Sequence, residues 1–533
     1  MIDRRTLASL LMAAPLASPG AVHAATPPGV VVMAGTIDDI TSLDPAESYE
    51  FTGIQVLANC YRRLVRVNPA DTTTLTHDLA TSWTVSPDAR VFTFTLGTDA
   101  RFPSGAAVTA DDVAFSLRRV VALNKAPAFI ISQFGFTAET VDRQIRPDGP
   151  SRVIIELPVP VAPDFLLFCL GGTIGSIVER ASSMANAVNG DFGNAWLKTR
   201  TNGAGAYRVA AWSGPDRLVL DTNPHAIISD GAPARARRIV ILHVPDPAVQ
   251  LLMLRQGDVD IARDLTPDQL RALEADPAYT IVSAAQGRMM YLAMNADFAP
   301  FRRIEVRQAV KWAIDYAGIA RHITPRTWDV WQNFLPLGML GAQDSQPFHQ
   351  DIARAKALLA AAGYPAGFDI ELDHRANAPY TDIAQALQAN LALIGIRVTL
   401  NGQEHKQVNS RVRARRHQMA LLTWATDYFD PHSNAQAWCA NPDDSAASKL
   451  QILAWRNHFQ DDELTALVHT ASIETDAARR AALYRSIQAA AHQRAPFAWM
   501  LQSIATVVMR RGVSGYALGP MVELTDFARI VKF

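Results

Sequence analysis

The chain of 533 residues predicts a mixed α/β or α+β protein built from several domains. Strand patterns and helix patterns follow one another along its whole length, which is typical of these classes. The length is far beyond what one hydrophobic core organises, so about two to four domains are expected. We find no internal repeat with a period of about 20 to 50 residues, which argues against a solenoid or propeller.

Strands are predicted where apolar and polar residues alternate. Residues 91–96, Val-Phe-Thr-Phe-Thr-Leu, follow this pattern with a period of two, which indicates a half-buried strand. Residues 29–35 are rich in valine and predict a strand near the beginning of the mature chain.

Helices are predicted from capping residues and from the spacing of apolar positions. Thr109, followed by two aspartates, begins a helix that continues through residue 117. Pro247 begins another helix, and Gly257 lies just past its end. Residues 305–321 place their apolar side chains on one face and predict a single helix. Two further helices, each closed by a glycine, are predicted at residues 353–362 and 382–394.

The amino terminus predicts a removable export signal, residues 1–24. Arg4 and Arg5 precede a short apolar run at 7–16 and the small-residue exit Val22-His23-Ala24. The adjacent arginines resemble a twin-arginine signal, although ordinary secretory signals also carry two basic residues. No cysteine occurs before Cys60, so we expect a protein that is soluble in the periplasm and not lipid-anchored.

The charge balance excludes some partners. Lys plus Arg is 50 and Asp plus Glu is 51; removing Asp3, Arg4 and Arg5 with the signal leaves 48 against 50. Such a balance attracts neither nucleic acid nor an anionic membrane.

The three cysteines allow at most one disulfide, and a chain this large does not need one, so Cys60 and Cys169 are interpreted as buried apolar side chains.

Motifs for metal binding and nucleophilic catalysis are missing from the sequence. No histidine lies four residues from another, the cysteines have no metal-ligand spacing, and no Gly-x-Ser-x-Gly segment occurs. We therefore predict no metal, no cofactor and no catalytic residue. The alternative from another class is a hydrolase that pairs His374 or His432 with Asp427.

The segment 424–434 carries the strongest functional signal. Asp427 lies among aromatic residues directly after the apolar run 419–422. Because an ionised carboxylate is costly to desolvate without a cation or several donors, Asp427 is interpreted as half of a salt bridge completed by a ligand. The alternative is that Asp427 caps the turn into Pro431.

Several segments, taken in order, carry a family resemblance. They resemble the large extracytoplasmic solute-binding proteins of ABC importers for dipeptides, oligopeptides and nickel, known as family 5. The segments that carry it are Ser42-Leu-Asp-Pro45, Asp78-Leu-Ala-Thr-Ser-Trp83, Thr109-Ala-Asp-Asp-Val-Ala-Phe-Ser116, Gly205-Ala-Tyr207, Gln256-Gly-Asp-Val-Asp260, Val306-Arg-Gln-Ala-Val310 and Ala355-Lys-Ala-Leu-Leu-Ala-Ala-Ala-Gly363.

The resemblance implies the bilobal periplasmic-binding-protein fold, with a hinge between the lobes and an extra β-rich domain on the first lobe. Domain I would comprise residues 26–57, 205–292 and 511–533, domain II the extension 58–204, and domain III the second lobe 293–510. The chain would then cross between lobes near residues 290–295 and 509–515, where Gly512 and Gly515 tolerate hinge rotation.

The resemblance also implies a binding site. In peptide-binding members an aspartate meets the ligand ammonium, and the matching segment here is Trp424-Ala425-Thr426-Asp427, followed by Tyr428. Arg375 corresponds loosely to an arginine that holds the ligand carboxylate; otherwise it is a surface arginine. Glu50, Phe51 and Thr52 fall where peptide binders supply backbone contacts.

The function implied is a non-enzymatic receptor, a monomer that captures a small peptide or peptide-like amine and delivers it to a permease and an ATPase on other chains. Within the family, the alternative cargo is a nickel chelate, an opine or a sugar conjugate. The sequence leaves open the length and side chains of the ligand.

Overall fold

The computed structural model describes residues 26–226 and 234–533. The predicted export signal lies outside the described residues. Within the described part, none of the helices combines the length and the apolar character that crossing a bilayer requires.

The first part of the described chain contributes one strand to the large sheet and then builds a β-rich unit. Short 3₁₀ turns cover Ala126–Ala128 and Thr173–Gly175. The other elements are β1 (Val30–Gly35), α1 (Phe51–Cys60), β2 (Val65–Val67), β3 (Leu75–His77), β4 (Ala80–Val85), β5 (Val91–Leu96), α2 (Ala110–Leu123), α3 (Phe129–Ser132), α4 (Val141–Gln144), β6 (Ile145–Pro147), β7 (Arg152–Glu156), α5 (Pro163–Gly171), α6 (Arg180–Ala185) and α7 (Asn194–Leu197).

The middle part returns to the sheet that β1 began. Its elements are β8 (Tyr207–Trp212), β9 (Arg217–Thr222), β10 (Arg238–His243), α8 (Pro247–Gln256), β11 (Ile261–Ala262), α9 (Pro267–Leu273) and the long strand β12 (Tyr279–Met294).

The last part is mostly helical and ends with a second long strand. A 3₁₀ turn covers Ala299–Arg302, and two more, Val522–Leu524 and Phe527–Arg529, lie near the carboxyl end. The elements are α10 (Ile304–Ala313), α11 (Tyr316–His322), β13 (Trp328–Val330), α12 (Ile352–Ala361), β14 (Asp369–Arg375), α13 (Tyr380–Ala392), β15 (Arg397–Gln403), α14 (His405–Arg413), β16 (Met419–Ala425), α15 (Pro431–Cys439), α16 (Leu453–Arg456), α17 (Asp462–Ile473), α18 (Ala477–Arg494), β17 (Phe497–Arg510), β18 (Val513–Ser514) and β19 (Val531–Lys532).

One eleven-stranded sheet runs through the molecule in the order β15-β14-β16-β12-β17-β11-β1-β10-β9-β8, with β13 pairing with β17. The two long strands β12 and β17 belong to both halves of it. Their pairing is regular from Tyr279 to Ala285, breaks, and resumes at Met289 opposite Gln502. Each half of the sheet therefore has its own neighbours, and the two halves are joined by this irregular crossing.

The register break between β12 and β17 does not test the hinge crossings that the resemblance implies. The register break falls at residues 285–289 on β12 and 502–504 on β17, whereas the predicted crossings lie near 290–295 and 509–515. The domain boundaries themselves stay predictions.

The β-rich unit has a core of its own. Strands β4-β5-β7-β6 form a four-stranded sheet that packs with α2 and α5 in one apolar cluster. A buried pair ties this unit to the first lobe: Arg119 of α2 forms an ion pair with Asp44, and the Asn194 amide also donates to Asp44, at 2.7 Å. Asp44 belongs to the Ser-Leu-Asp-Pro segment, whose acid is therefore structural.

Most element predictions are confirmed, and one is wrong. The strand at 91–96 and the helix at 247–256 have the predicted bounds, and Thr109 forms a capping box with Asp112. The single helix expected at 305–321 is two helices, α10 and α11. Ile314 is extended, and Asp315 caps α11 by accepting a hydrogen bond from the Gly318 backbone N–H at 2.8 Å. Asparagine and aspartate favour this break because their side chains compete for backbone donors.

The cysteines do not pair within the described chain. Cys60, Cys169 and Cys439 are all buried and free.

Candidate functional site

The segment 424–427 leaves the sheet at the crossing between its halves. In β16, Trp424 lies opposite Met289 and Ala425 opposite Arg288 on β12. Beyond the strand, the Thr426 backbone N–H donates to the Gly287 carbonyl at 3.1 Å, and the Thr426 hydroxyl donates to the same oxygen at 3.2 Å. The chain is thus fixed to β12 where the register breaks, and the next residue is Asp427.

Asp427 is partly buried, and its carboxylate has a hydroxyl as its hydrogen-bond donor. Its backbone N–H donates to the Ser433 hydroxyl at 3.2 Å, and its carboxylate accepts a hydrogen bond from the Tyr49 hydroxyl. No Lys, Arg or His among the described residues forms an ion pair with it. Burial raises the pKa of Asp427 to about 6, while the Tyr49 hydrogen bond and the positive charge of Arg456 act in the opposite direction.

The turn into Pro431 is capped by a different acid. Asp430 is the N-cap of α15, and its Oδ1 accepts from the His432 backbone N–H at 2.9 Å. The guanidinium of Arg480 also binds both oxygens of Asp430 at 2.7 Å, and both side chains are buried. The capping interpretation of Asp427 is therefore wrong, because Asp430 is the acid that caps α15.

The neighbours of Asp427 face different ways. Trp424 is half-buried, and its indole N–H is buried without a hydrogen-bond partner among the described residues. The Tyr428 side chain is buried, its ring stacks on Phe165 at 5.7 Å between centroids, and its hydroxyl donates to Gln133 at 3.3 Å. Tyr428 thus joins the segment after β16 to the β-rich unit, and Trp424 lines a cavity described below.

The residues at 50–52 form the beginning of α1. The Glu50 carboxylate accepts from the Thr41 hydroxyl at 2.9 Å, so it is engaged within its own loop. Phe51 is exposed, and the guanidinium of Arg288 lies 4.5 Å from the centre of its ring. The Thr52 backbone N–H donates to Asp39 at 3.1 Å. Their role in binding stays a prediction.

Arg375 ends β14, which runs parallel to β16 and beside it. Its Nη2 lies 2.6 Å from Nε2 of His405, and its guanidinium is 4.7 Å from the centre of the Tyr380 ring. No carboxylate among the described residues forms an ion pair with Arg375. Its role as the carboxylate anchor stays a prediction, and the geometry leaves its charge uncompensated.

A cavity of about 160 Å³ opens beside Trp424. Its lining includes side chains that the sequence did not single out: Tyr291, His405, Arg413 and Arg456. Tyr49 and Arg288 were missed as well. These residues come from distant parts of the chain, and none stands in a local motif, so only the fold brings them to the cleft.

A larger cavity of about 430 Å³ lies at the carboxyl-terminal end of α1. It is lined by Arg62, Arg63, Asp78 and Glu523 among others, and by none of the predicted site residues. Its charged lining has both signs, with Arg62 already paired to Asp78 at 2.7 Å.

The acid/base pairs considered from the sequence are not formed. His374 Nδ1 lies 2.8 Å from the Arg375 carbonyl. The ring of His432 packs on Phe165 at 4.6 Å, and burial lowers its pKa to about 4, so it is neutral at pH 7. Neither histidine hydrogen-bonds Asp427 in the described structure. Across residues 26–226 and 234–533, no group of three or more His, Cys, Asp or Glu side chains is arranged to hold a metal ion.

The fold and this cleft define a solute-binding protein. The sequence profile of the bacterial extracellular solute-binding proteins, family 5, matches residues 74–446, and the chain belongs to this family. The resemblance noted from the sequence is thereby confirmed.

Particular relatives cover nearly the whole chain. The probable D,D-dipeptide-binding periplasmic protein DdpA of Escherichia coli (strain K12) is 28% identical over 98% of this chain and 97% of its own length. The periplasmic binding protein DppA from Helicobacter pylori, solved in complex with the peptide STSA, has a TM-score of 0.76 at 25% identity, covering 94% of this chain and 98% of that one. HbpA2 from Haemophilus parasuis has the same fold, with a TM-score of 0.79 at 21% identity over 95% of this chain and 100% of its own. The mixed α/β, bilobal fold class is confirmed by these structures.

Proposed function

We propose that this chain is the receptor of an ABC importer, which captures a di- or oligopeptide, or a peptide-like amine, between its lobes. The observation that carries the proposal is the carboxylate of Asp427, which enters the cleft with a tyrosine hydroxyl but no cation as its partner. A ligand ammonium supplies the missing charge. The names of the E. coli and H. pylori relatives, which bind peptides, support this cargo.

The chemistry of such an anchor suits peptides of any sequence. A charge-assisted hydrogen bond is about twice as strong as a neutral one, and a closed cleft strengthens it further. Because every unblocked peptide has an amino-terminal ammonium, Asp427 recognises the peptide end without reading a side chain. Arg375, whose guanidinium has no carboxylate partner, is the proposed contact for the other end.

The remaining parts of the proposal follow the family. The mature protein is proposed to be a soluble monomer of the periplasm, without a lipid anchor, that presents its closed form to a permease and an ATPase on other chains. It is proposed to bind no nucleic acid and to catalyse no reaction. Mass spectrometry of a dipeptide before and after incubation separates this receptor from a hydrolase, since a receptor returns the dipeptide unchanged.

A double-mutant cycle tests the anchor. The probes are L-alanyl-L-alanine and its N-acetyl form, titrated by calorimetry into the wild type and Asp427→Asn. We expect Asp427→Ala to weaken the free dipeptide by roughly 2 to 5 kcal/mol, the usual cost of leaving a desolvated charge unpaired. Asp427→Asn should lose most of that affinity while keeping the shape.

The coupling between the two changes is decisive. Acetylation should weaken binding to the wild type strongly and to Asp427→Asn only slightly, because both changes remove the same ion pair. Asp462→Asn, an exposed acid on α17 of the same lobe, serves as the matched control and should bind like the wild type. If the two losses simply add, Asp427 is not the amine anchor.

A further inference from the structure

We propose that the ligand carries an acidic group next to its amine, and that Arg456 and Arg413 bind this group in the cavity beside Trp424. The inference rests on the proposed function and specifies its substrate class: peptides whose first residue is acidic.

The cavity has the size of a subsite. Its volume of about 160 Å³ is below the roughly 300 to 1,000 Å³ that a complete small ligand fills, so it holds one group of a larger ligand. Trp424 and Thr423 form one wall, and Arg413, Arg456 and His405 contribute polar groups. None of its lining residues is an aspartate or a glutamate.

The arginines at this cavity differ from their neighbours in having no acid. In the same lobe, Arg411 forms an ion pair with Glu371 at 2.5 Å, and Arg415 forms one with Asp444 at 2.5 Å. Arg456 instead donates from Nε to the Gln451 carbonyl at 3.2 Å. Neither Arg456 nor Arg413 has a carboxylate within ion-pair distance in the described parts of the chain.

The arrangement of these charges calls for an anion. Arg456 is half-buried; burial lowers the pKa of its guanidinium and the positive charge of Arg413 acts in the same direction, whereas the charges of Tyr291 and Asp427 act in the opposite direction. Two cations facing one cavity repel each other, and leaving a charge partly desolvated without a partner costs free energy. A ligand carboxylate in the cavity removes both penalties and forms the charge-assisted bonds that guanidinium groups favour.

The position of the cavity places this carboxylate close to the amine. Trp424 lines the cavity and stands three residues before Asp427 on the same segment of the chain. In the proposed complex, an ammonium at Asp427 and a carboxylate at Arg456 are neighbouring groups of one ligand. In a peptide, these are the α-amine and the side chain of the first residue.

Matched dipeptides test the inference on the full mature protein. Calorimetry at low salt compares Glu-Ala with its neutral isostere Gln-Ala, with Ala-Ala as the peptide reference and Ala-Glu as the positional control. We expect Glu-Ala to bind the wild type about ten- to a hundredfold more tightly than Gln-Ala, the range for one charge-assisted contact. Ala-Glu should gain much less than Glu-Ala.

Arginine variants test which residues produce the preference for Glu-Ala over Gln-Ala. Arg456→Gln and Arg413→Gln should each remove most of the Glu-Ala advantage, and Arg456→Lys should retain part of it because the charge is kept. Arg485→Gln, an exposed arginine of α18 that does not line the cavity, lowers the net charge equally and should retain the full advantage. Arg413 is exposed, so its variant tests the inference even if Arg456→Gln fails to fold.

Several outcomes overturn the inference. The acidic subsite is refuted if the wild type binds Glu-Ala and Gln-Ala equally, or if the Glu-Ala advantage survives in both Arg456→Gln and Arg413→Gln. In either case, binding of Ala-Ala would still support the receptor proposal. An equal gain for Ala-Glu removes the placement beside the amine. If none of the four dipeptides binds, the peptide receptor proposal fails and this inference fails with it.

Discussion

The hydroxyl of Tyr49 donates a hydrogen bond to the carboxylate of Asp427, which joins two residues 378 positions apart. Tyr49 precedes α1 in the first lobe, and Asp427 follows β16 in the second. The stack of Tyr428 on Phe165 lies next to this contact and also connects the second lobe with the β-rich unit. These two contacts join the segment after β16 to the first part of the chain. If Asp427 is the amine anchor proposed above, a ligand amine would share or replace the bond from Tyr49.

Ligand affinity should depend on pH through Asp427. Its pKa is raised to about 6, so the carboxylate is ionised above that pH and protonated below it. Because only the ionised form pairs with an ammonium, the affinity for L-alanyl-L-alanine should fall as pH drops below about 6. Tyr49→Phe removes a hydrogen bond that favours the charged form, so the fall should begin at a higher pH.

Calorimetric titrations between pH 5 and 8 measure this dependence. Asp427→Asn is the control, since its residual binding should lose this transition. A wild-type affinity that stays constant from pH 5 to 8 contradicts the assignment of Asp427 as the amine anchor.

Stability of the ligand-free protein should respond to Asp427→Asn in a pH-dependent way. The folded-state pKa of Asp427 lies above the unfolded value of 3.8, so the folded state binds more protons between these two values. Raising the pH through this window therefore lowers the free energy of unfolding of the wild type. Asp427→Asn lacks this loss. Its free energy of unfolding relative to that of the wild type should therefore increase by about 1 to 2 kcal/mol from pH 4 to pH 7, which is less than the full pKa difference would give because Asp427 is partly exposed.

Urea unfolding at the two pH values tests this point. Asp462→Asn, which removes an exposed acid from α17, should show no such trend. A stability difference for Asp427→Asn that shrinks as the pH rises has the wrong sign and refutes the prediction.

The buried pair of Asp430 and Arg480 should be essential to the second lobe. Arg480→Met leaves the Asp430 carboxylate buried without its cation, and we expect a loss of about 3 to 5 kcal/mol in the free energy of unfolding. Arg397→Met breaks an exposed pair with Asp369 and should cost less than about 1 kcal/mol. Chemical denaturation of both variants makes the comparison, and equal losses would contradict it.

Contacts between the lobes should control closure. Tyr428→Ala removes a side chain that packs against Phe165, so the ligand-free variant should populate open forms more and show a larger radius of gyration than the wild type. Adding L-alanyl-L-alanine should reduce the radius of gyration of the wild type, because the dipeptide touches both lobes only when they are closed. Small-angle scattering measures both effects, and identical curves for all samples would refute the two-lobe closure.

Local patterns in the sequence were enough for many elements and for the family. The alternation at 91–96 and the proline and glycine that bound α8 act within a few residues, so their structures follow from neighbouring side chains. The helix expected at 305–321 is instead two helices: the Asp315 side chain caps α11 by accepting from the Gly318 N–H, and the Asp315 N–H donates to Asn390 of a distant helix. Local periodicity does not contain that partner.

The sequence by itself determined that Asp427 needs a partner, because an acid between a strand and a cluster of aromatic residues is costly in any fold. The cap of α15 by Asp430 is a local contact, but the ion pair of Asp430 with Arg480, 50 positions further on, depends on the fold. Only the tertiary structure decided that Tyr49 is the protein partner of Asp427 and that Arg413 and Arg456 share a cavity without a carboxylate. The physical reason is that the cost of burying an ionised carboxylate can be recognised from the apolar residues next to it in the sequence. The groups that compensate its charge are distant in sequence, and only the folded chain brings them together.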